Sequence, residues 1–439
     1  MFGSGRRQTV KSDCRRKSGR LLFRPGRRGP AGPAALLFGM LFLLLFSGAG
    51  LLPAGAVENV GITWEKMLGG GKADRGWDVR QTADGSFLVT GETMSDYFHG
   101  HGGTDVYLAR LDGAGRLQWE RVFGGAGDDR AFCVRQTGDG GCVVAGATKS
   151  FSNRRDNDVY LARVDGSGRL CWQKSFGGTG EDSAFCVRQT GGGGYIIAGE
   201  TNSSGAGDYD VYLIKVDAAG KIEWEKTFGG KDAERGTCVR QTADGGYVVA
   251  GQTFSFGAGG FDVYLVKTDA AGKKEWEKTF GGGGWDIAEC VEQTADGGYV
   301  VTGRTSSTDN GNFDVYLVKT DAAGVKQWEK TFGGSGWDAG KSVRQTEDGG
   351  YLVAGWTDSS GSGGLAFYLV KAGADGGKLW EKTLQADRFD REFTVQPTAD
   401  GGYVVAGWWA EPLQNLQWRN DDLQVYVARL EVNSNREHQ

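Results

Sequence analysis

QTADGGYVVAG, residues Gln241–Gly251, indicates the fold because close copies of this stretch recur along most of the chain. A threonine marks each copy, and a tryptophan marks a second recurring segment with the same spacing. The threonines are Thr82, Thr137, Thr190, Thr242, Thr294, Thr346 and Thr398, and the tryptophans are Trp64, Trp119, Trp172, Trp224, Trp276, Trp328 and Trp380. Successive markers lie 52 to 55 residues apart. Seven repeats of this length indicate one closed array of repeats, and not two or three unrelated domains.

Each repeat contains four strand-like segments, as the unit from 284 to 334 shows. The segments are IAECVEQT, GGYVVTG, DVYLVKTD and VKQWEKTF, rich in Val, Tyr, Trp and Thr and separated by Gly, Asp and Asn. We name them A to D in chain order. Segments B and C are apolar on both faces, whereas D alternates polar and apolar residues, so D is predicted to lie outermost. We expect the turn glycines to close the A–B hairpin and the last glycine of B to end that strand.

The two ends of the chain carry an incomplete repeat each. GITWEKMLGG, Gly61–Gly70, is a D segment with nothing before it, and LQVYVARL, Leu423–Leu430, is a C segment with no D after it. Pairing the two would complete the seventh unit and protect two open edges. We therefore predict an all-β, seven-bladed propeller of four-stranded antiparallel blades, closed by the strand at about 61–68 and the strand at about 423–430.

The repeat consensus W-E-K-x-F-G-G, Q-T-x-D-G-G-Y-V-V-A-G and D-V-Y-L-V-K-x-D resembles the repeats of exported bacterial seven-bladed propellers. It is similar, more distantly, to Kelch-like and quinoprotein-like propellers. The resemblance covers essentially all of residues 60–431. It implies the fold, but little about function, because such propellers serve as binding platforms, adaptors and occasional enzymes.

The first 56 residues do not belong to the repeats. They hold ten Lys and Arg against one acidic residue, then an apolar run from Ala34 to Leu52 and small residues ending at Ala56. This pattern predicts a signal peptide at 1–56, or a signal anchor if the run is retained as the only membrane contact. The domain at 57–431, followed by a tail at 432–439, would then be exported as a secreted, periplasmic or cell-surface protein.

Charge and cysteine usage narrow the possible partners. Residues 57–439 hold 40 Lys and Arg against 54 Asp and Glu, a balance that disfavours nucleic acid. Cys133, Cys186, Cys238 and Cys290 occupy one position of four A strands, where we expect small buried apolar residues. No residue pattern points to a cofactor or a metal site. We expect a monomer that binds an unknown protein or polysaccharide.

The connections between D and A, and between B and C, form one face of the predicted propeller, which we call the loop face. Their sequences vary between repeats, so this face or the channel below it is the expected binding region. An acidic residue recurs there eight positions before each marker threonine, and we expect a ring around the channel mouth. Its members are Asp74, Asp129, Asp182, Glu234, Asp286, Asp338 and Asp390. A residue present in every repeat is typical of structure, whereas a cation site is the functional alternative.

Large aromatic residues break the symmetry of the loop face in three neighbouring blades. They are Trp285, Trp337, Phe389, Trp408, Trp409 and Trp418. Such residues bind sugar rings or peptide side chains, and the alternative is packing beneath loops or between blades.

Two functions of different class follow from these observations. The first is an exported, non-enzymatic binding scaffold that uses the loop face. The second is a carbohydrate-active propeller, for glycan binding or for hydrolysis by two carboxylates from Asp286, Asp338 and Asp390. The scaffold is favoured because no carboxylate stands out from its repeat, although enzymatic activity stays open.

Overall fold

The structure is a computed structural model that describes residues 58–94, 103–152, 154–308, 311–360, 364–385, 393–409 and 423–434. These residues form 28 strands in seven four-stranded antiparallel sheets, and they contain no helix. Residues 59–433 make one compact unit. The prediction of a seven-bladed all-β propeller is confirmed.

The strands follow the chain in blade order. The first is β1 (Glu58–Leu68), which belongs to blade 7. Blade 1 contains β2 (Asp74–Gln81), β3 (Phe87–Thr93), β4 (Asp105–Leu111) and β5 (Leu117–Phe123). Blade 2 contains β6 (Asp129–Gln136), β7 (Cys142–Thr148), β8 (Asp158–Val164) and β9 (Leu170–Phe176). Blade 3 contains β10 (Asp182–Gln189), β11 (Tyr195–Thr201), β12 (Asp210–Val216) and β13 (Ile222–Phe228). Blade 4 contains β14 (Glu234–Gln241), β15 (Tyr247–Thr253), β16 (Asp262–Thr268) and β17 (Lys274–Phe280). Blade 5 contains β18 (Asp286–Gln293), β19 (Tyr299–Thr305), β20 (Asp314–Thr320) and β21 (Lys326–Phe332). Blade 6 contains β22 (Asp338–Gln345), β23 (Tyr351–Thr357), β24 (Ala366–Ala372) and β25 (Lys378–Gln385). Blade 7 adds β26 (Phe393–Pro397), β27 (Tyr403–Trp409) and β28 (Gln424–Ser434).

Blade 7 is closed by the two ends of the propeller, as predicted. Its strand order is β1-β28-β27-β26, so the N-terminal strand lies outermost against the C-terminal strand. Both strands are longer than the sequence predicts, because β1 begins at Glu58 and β28 continues to Ser434. In the other six blades the order is A, B, C, D, with D at the partly exposed outer edge.

The repeated T-x-D-G-G sequence builds the A–B hairpin, as blade 4 shows. Gly245 adopts a φ of 85°, which glycine tolerates, and its N–H donates to the carbonyl of Thr242 at 2.9 Å. Asp244 accepts hydrogen bonds from the N–H of Gly246 at 2.9 Å and from Nζ of Lys267 in β16 at 2.8 Å. The recurring lysine of strand C therefore secures the turn beside it.

The recurring tryptophan joins neighbouring blades. Trp224, in the outer strand of blade 3, packs edge-on against Tyr247 in blade 4, with ring centroids 5.7 Å apart. A methyl group at Gly272, in the C–D hairpin of blade 4, would overlap the Trp224 indole. Both the tryptophan and the hairpin glycine of the repeat thus serve the blade interface.

A β-bulge interrupts strand A in blades 1 to 6, between the third and fifth residues of the strand. The bulge brings the Arg235 carbonyl oxygen of β14 against Gly251 of β15, where a Cβ atom would overlap it. Gly251 lies inside β15, which continues to Thr253, so the expectation that it ends the strand is wrong. A glycine is required at position 251 because the bulged backbone of strand A approaches this position too closely for any side chain.

Candidate functional site: the central channel

The bulges place one residue per blade at the axis of the propeller. The fourth residue of strand A is left unpaired by each bulge, and its side chain lines a cavity of about 420 Å³. These residues are Trp77, Phe132, Phe185, Thr237, Glu289 and Lys341, and Phe393 lines the same cavity from blade 7. Unlike the hairpins, this position differs from blade to blade, so it makes the channel asymmetric.

Aromatic side chains occupy one side of the channel, in blades 7, 1, 2 and 3. Trp77 lies edge-on to Trp408 of β27 at 5.1 Å and to Phe132 at 5.7 Å, and Phe132 lies 5.6 Å from Phe185. We call Phe393, Trp77, Phe132, Phe185 and Trp408 the aromatic arc. The indole Nε1 of Trp77 is buried without a hydrogen-bond partner in the described residues. The aromatic arc therefore combines apolar surface with one buried N–H group, on the Trp77 indole, that has no acceptor among the described residues.

The opposite side of the channel is polar. Lys341 and Glu289 form an ion pair at 2.9 Å. Burial opposes ionisation of Glu289, yet Lys341 and then Arg304 hold the pKa of this carboxyl below its usual value. Arg235 bonds Glu200 at 2.7 Å and stacks over the Phe185 ring at 4.8 Å, which links the polar side to the end of the aromatic arc.

Below these side chains, four thiols line the cavity. Cys133, Cys186, Cys238 and Cys290 are at most 7% exposed and form no disulfide. The Cys133 thiol reaches the carbonyl of Val187 in the next blade at 3.9 Å, and Cys186 and Cys238 make the equivalent contacts at 4.0 Å. They are small buried residues, as expected, and each also contacts the adjacent blade.

The aromatic residues named from sequence fall into two separate places. Trp285 is 51% exposed and lies edge-on to Phe261 at 5.5 Å, while Trp337 is 54% exposed and lies edge-on to Phe313 at 5.7 Å. We call Trp285 and Trp337 the rim tryptophans; they make no ring contact with each other. Trp408 instead joins the aromatic arc, and Trp409 is partly buried. Phe389 and Trp418 lie outside the described residues.

The acidic residues of the loop face are buried. Six are described, Asp74, Asp129, Asp182, Glu234, Asp286 and Asp338, each at most 1% exposed, and Asp390 lies outside the described residues. Asp286, for example, accepts hydrogen bonds from the N–H of Gly282 at 2.8 Å and from the hydroxyl of Ser307 at 2.7 Å. These bonds tie the D–A loop to the B–C loop of the same blade. Asp286 and Asp338 are thus inaccessible to a sugar on this face.

Several of these carboxylates have a second carboxylate beside them. Asp158, at the start of β8, meets Asp182 of the next blade, and a methyl group at Gly177 would overlap both. Asp158 is 7% exposed, and one oxygen of each carboxylate is buried without a hydrogen-bond partner. Burial, and then the charges of Asp182 and Asp156, raise the pKa of Asp158 to about 6.

The sequence pointed to Trp408 but not to the other four residues of the aromatic arc, nor to a set of inner-strand arginines. Trp77, Phe132 and Phe185 occupy one repeat position in consecutive blades, so their register was visible in the sequence. The signal for the bulge that turns them to the axis is the glycine inside strand B, such as Gly251, which the sequence pattern instead predicts to end the strand. The clustering of the arginines was not expected because the net charge of residues 57–439 is acidic, and a net charge does not show where side chains of one sign lie close together in the fold.

The described ranges contain no helix that is long and apolar enough to cross a membrane. No group of three or more His, Cys, Asp and Glu side chains in those ranges is arranged to hold a metal ion.

The fold and its axis define a seven-bladed β-propeller with an asymmetric central channel. No protein-family model matches the chain. The regulatory protein FlaEY of Caulobacter vibrioides is 27% identical over 182 residues, covering 38% of this chain and 17% of FlaEY. The match thus spans about a sixth of the length of that curated relative.

Two solved structures are similar to the chain over most of its length. The WD40 domain of Pan2 from Neurospora crassa has a TM-score of 0.50 at 10% identity, covering 83% of this chain and 90% of that domain. BBS1N, solved in complex with ARL6DN, has a TM-score of 0.46 at 9% identity, with coverages of 87% and 98%. At these identities the likeness to Pan2 shows the fold alone.

Proposed function

We propose that the chain is an exported, non-enzymatic binding scaffold that takes a segment of a protein partner into the loop-face end of its central channel. The aromatic arc is the main structural support for this proposed function. It is confined to four blades, lines a cavity, and holds partly exposed rings next to one another. Grouped aromatic side chains beside charged residues are typical of the central, energetically dominant part of protein interfaces.

The polar side of the channel supports a peptide ligand in particular. The Glu289–Lys341 pair offers a peptide both an acceptor and a donor. Aromatic area on one wall and hydrogen-bonding groups on the other match a peptide, which presents side chains and backbone polar groups together. The proposal for export rests on residues 1–56 and on the resemblance of the repeats to exported propellers.

A selection from a random peptide library on the immobilised full chain would test this binding function. The affinity of a selected peptide is then measured for the wild type, for Trp77→Ala/Phe132→Ala, and for Trp285→Ala/Trp337→Ala. We expect the channel variant to bind at least tenfold more weakly, with the rim variant as a control near the wild type. Equal affinity of the folded channel variant, checked by its melting curve, would exclude the aromatic arc as the binding surface.

Polysaccharide binding at the loop face is the second candidate function. Trp285 and Trp337 favour it, because each indole is about half exposed and is supported from the side by a phenylalanine, as sugar-stacking platforms require. Retention on insoluble polysaccharides that the rim variant loses, and the channel variant keeps, would support this function. Loss in the channel variant alone would contradict it.

Export is tested by locating the protein and determining its first residue. Mass spectrometry of the chain expressed in its own host should find Val57 at the N-terminus of a protein outside the cytoplasm. A soluble cytoplasmic protein that retains Met1 would contradict the proposal.

A further inference from the structure

A second group of charged side chains lies at the other end of the channel, where strand A runs into the A–B hairpin. The seventh residue of strand A is an arginine in five blades, and Glu292 and Gln396 take its place in blades 5 and 7. The arginines are Arg80, Arg135, Arg188, Arg240 and Arg344, which we call the arginine ring. The first four line the central cavity.

Two carboxylates face these five guanidinium groups, and they satisfy only three of them. Asp78 pairs with Arg135 and, at 3.1 Å, with Arg80. Burial opposes ionisation of Asp78, but Arg80 and Arg135 hold the pKa of its carboxyl below the usual value. Glu292 pairs with Arg240.

Arg188 and Arg344 are left without an ion-pair partner, although the charge of Arg188 also acts on Glu292 from a greater distance. In the described part of the chain neither side chain makes a hydrogen bond or an ion pair, and the Nε atom of each is buried without a partner. Burial, followed by the charges of Arg135 and Arg240, lowers the pKa of Arg188 to about 10. A guanidinium ordinarily stays charged far above this range, so the channel holds positive charge that its own side chains do not balance.

The cavity can admit a counter-ion to this charge. It measures about 420 Å³ and reaches from the aromatic arc to four arginines of the ring, Arg80, Arg135, Arg188 and Arg240. Guanidinium groups bind carboxylate and phosphate oxygens through two parallel N–H donors, and the donors of Arg188 have no competing acceptor. A group with several negative oxygens could contact more than one blade at once.

We propose that the arginine ring binds a small multivalent oxyanion, of the phosphate or carboxylate class, on the propeller axis. Arg188, which lines the cavity, is the group that it would neutralise, while Arg80, Arg135 and Arg240 already share Asp78 and Glu292. This site is independent of the partner proposed for the aromatic arc, because it uses different side chains at the opposite end of the channel.

Calorimetric titration of the full chain with inorganic pyrophosphate, and separately with citrate, tests the proposal. We expect one molecule of at least one anion to bind per chain, and to raise the melting temperature above that in chloride of equal ionic strength. Binding of only one of the two identifies the phosphate or the carboxylate class. An effect that chloride reproduces, or no binding of either anion, would overturn the proposal.

Two variants separate a binding site from a structural one. Arg188→Gln should weaken binding of the anion at least tenfold, while melting no lower than the wild type in anion-free buffer, because it removes a buried charge that has no ion-pair partner. Arg344→Gln, at the one ring arginine that does not line the cavity, should weaken binding less. Arg169→Gln, at an exposed arginine paired with Asp165, is the matched control and should bind as the wild type does. Unchanged binding in Arg188→Gln would overturn the proposal. Because peptide binding at the aromatic arc is measured separately, failure of either site does not imply failure of the other.

Discussion

Tyr426 in β28 donates its hydroxyl hydrogen to Glu65 in β1 at 2.8 Å, across 361 residues of sequence. The same pair forms within other blades between residues only 13 apart, as between Tyr107 and Glu120 at 2.8 Å. The bond that elsewhere joins strands C and D of one repeat therefore joins the two ends of the propeller. Blade 7 thus keeps the tyrosine contact between strands C and D that its neighbours have, but it is assembled from both ends of the propeller.

Removing the N-terminal strand should prevent the ring from closing. Deletion of residues 57–70 takes away β1, so β28 becomes an unpaired outer strand and Tyr426 loses its partner. We expect aggregation, or a protein without a cooperative thermal transition. Deletion of residues 1–56 alone is the control and should melt cooperatively. A soluble deletion variant of 57–70 with an unchanged melting curve would contradict this closure.

Loss of the Tyr426 hydroxyl should loosen the closure without unfolding the propeller. Tyr426→Phe removes one bond to a carboxylate, worth about 1 kcal/mol, and should accelerate amide hydrogen exchange in β1. Tyr264→Phe removes the equivalent bond to Glu277 within blade 4 and is the matched control. It should leave exchange in β1 as in the wild type. Equal acceleration in both variants would show that blade 7 does not open independently.

The bulge beside Gly251 should make this glycine irreplaceable. Gly251→Ala places a methyl group on the Arg235 carbonyl oxygen, so the bulge must shift, and we expect a loss of about 2–3 kcal/mol in the free energy of unfolding. Gly192→Ala is the control, because nothing lies within 4 Å of a Cβ atom at that hairpin position. Urea denaturation gives both values. A loss below 0.5 kcal/mol for Gly251→Ala would refute the steric argument.

The Asp158–Asp182 contact should make stability depend on pH. The pKa of Asp158 is raised to about 6 in the folded protein against 3.8 for the free side chain, so the folded state favours the protonated form. Its stabilising contribution is complete below about pH 4 and is lost as the pH rises through 6. Asp158→Asn, which is neutral throughout and can donate to Asp182, should therefore raise the melting temperature by roughly 2–5 °C at pH 7.5 and change it little at pH 4.

Asp244, whose pKa is lowered and not raised by folding, provides the control for the Asp158→Asn experiment. Lys267 and Thr242 lower the pKa of Asp244 to about 2 by hydrogen bonding, so its contribution is present above pH 4 and lost as the pH falls through 2. Asp244→Asn should therefore lower the melting temperature at pH 7.5. If Asp158→Asn also lowered it there, the two buried carboxylates would not repel each other as the geometry indicates.

Much of the candidate site was visible in the sequence only as positions in the repeat. The marker threonines fix Trp77 and Phe132 as equivalent residues, but they also place them in a regular strand, where neither would face the axis. The adjacent Trp408 and Trp409 look alike in sequence, yet only Trp408 contacts Trp77. The rim tryptophans were recognised because they differ from their counterparts in other blades, whereas the recurring acids were recognised because they do not.

The amino-acid sequence is enough to predict the number of blades, the four strands of each blade and the closure by two incomplete repeats, because these features depend on local composition and on a period that seven repeats make clear. Which repeat positions meet at the axis depends on the tertiary structure. The bulges turn Trp77, Phe132 and Phe185 inward, and ring closure brings Arg188 near Arg135 and Arg240, which are about one repeat away along the chain. Contacts between blades depend on how the sheets are placed in space, and no local pattern in one repeat encodes that placement.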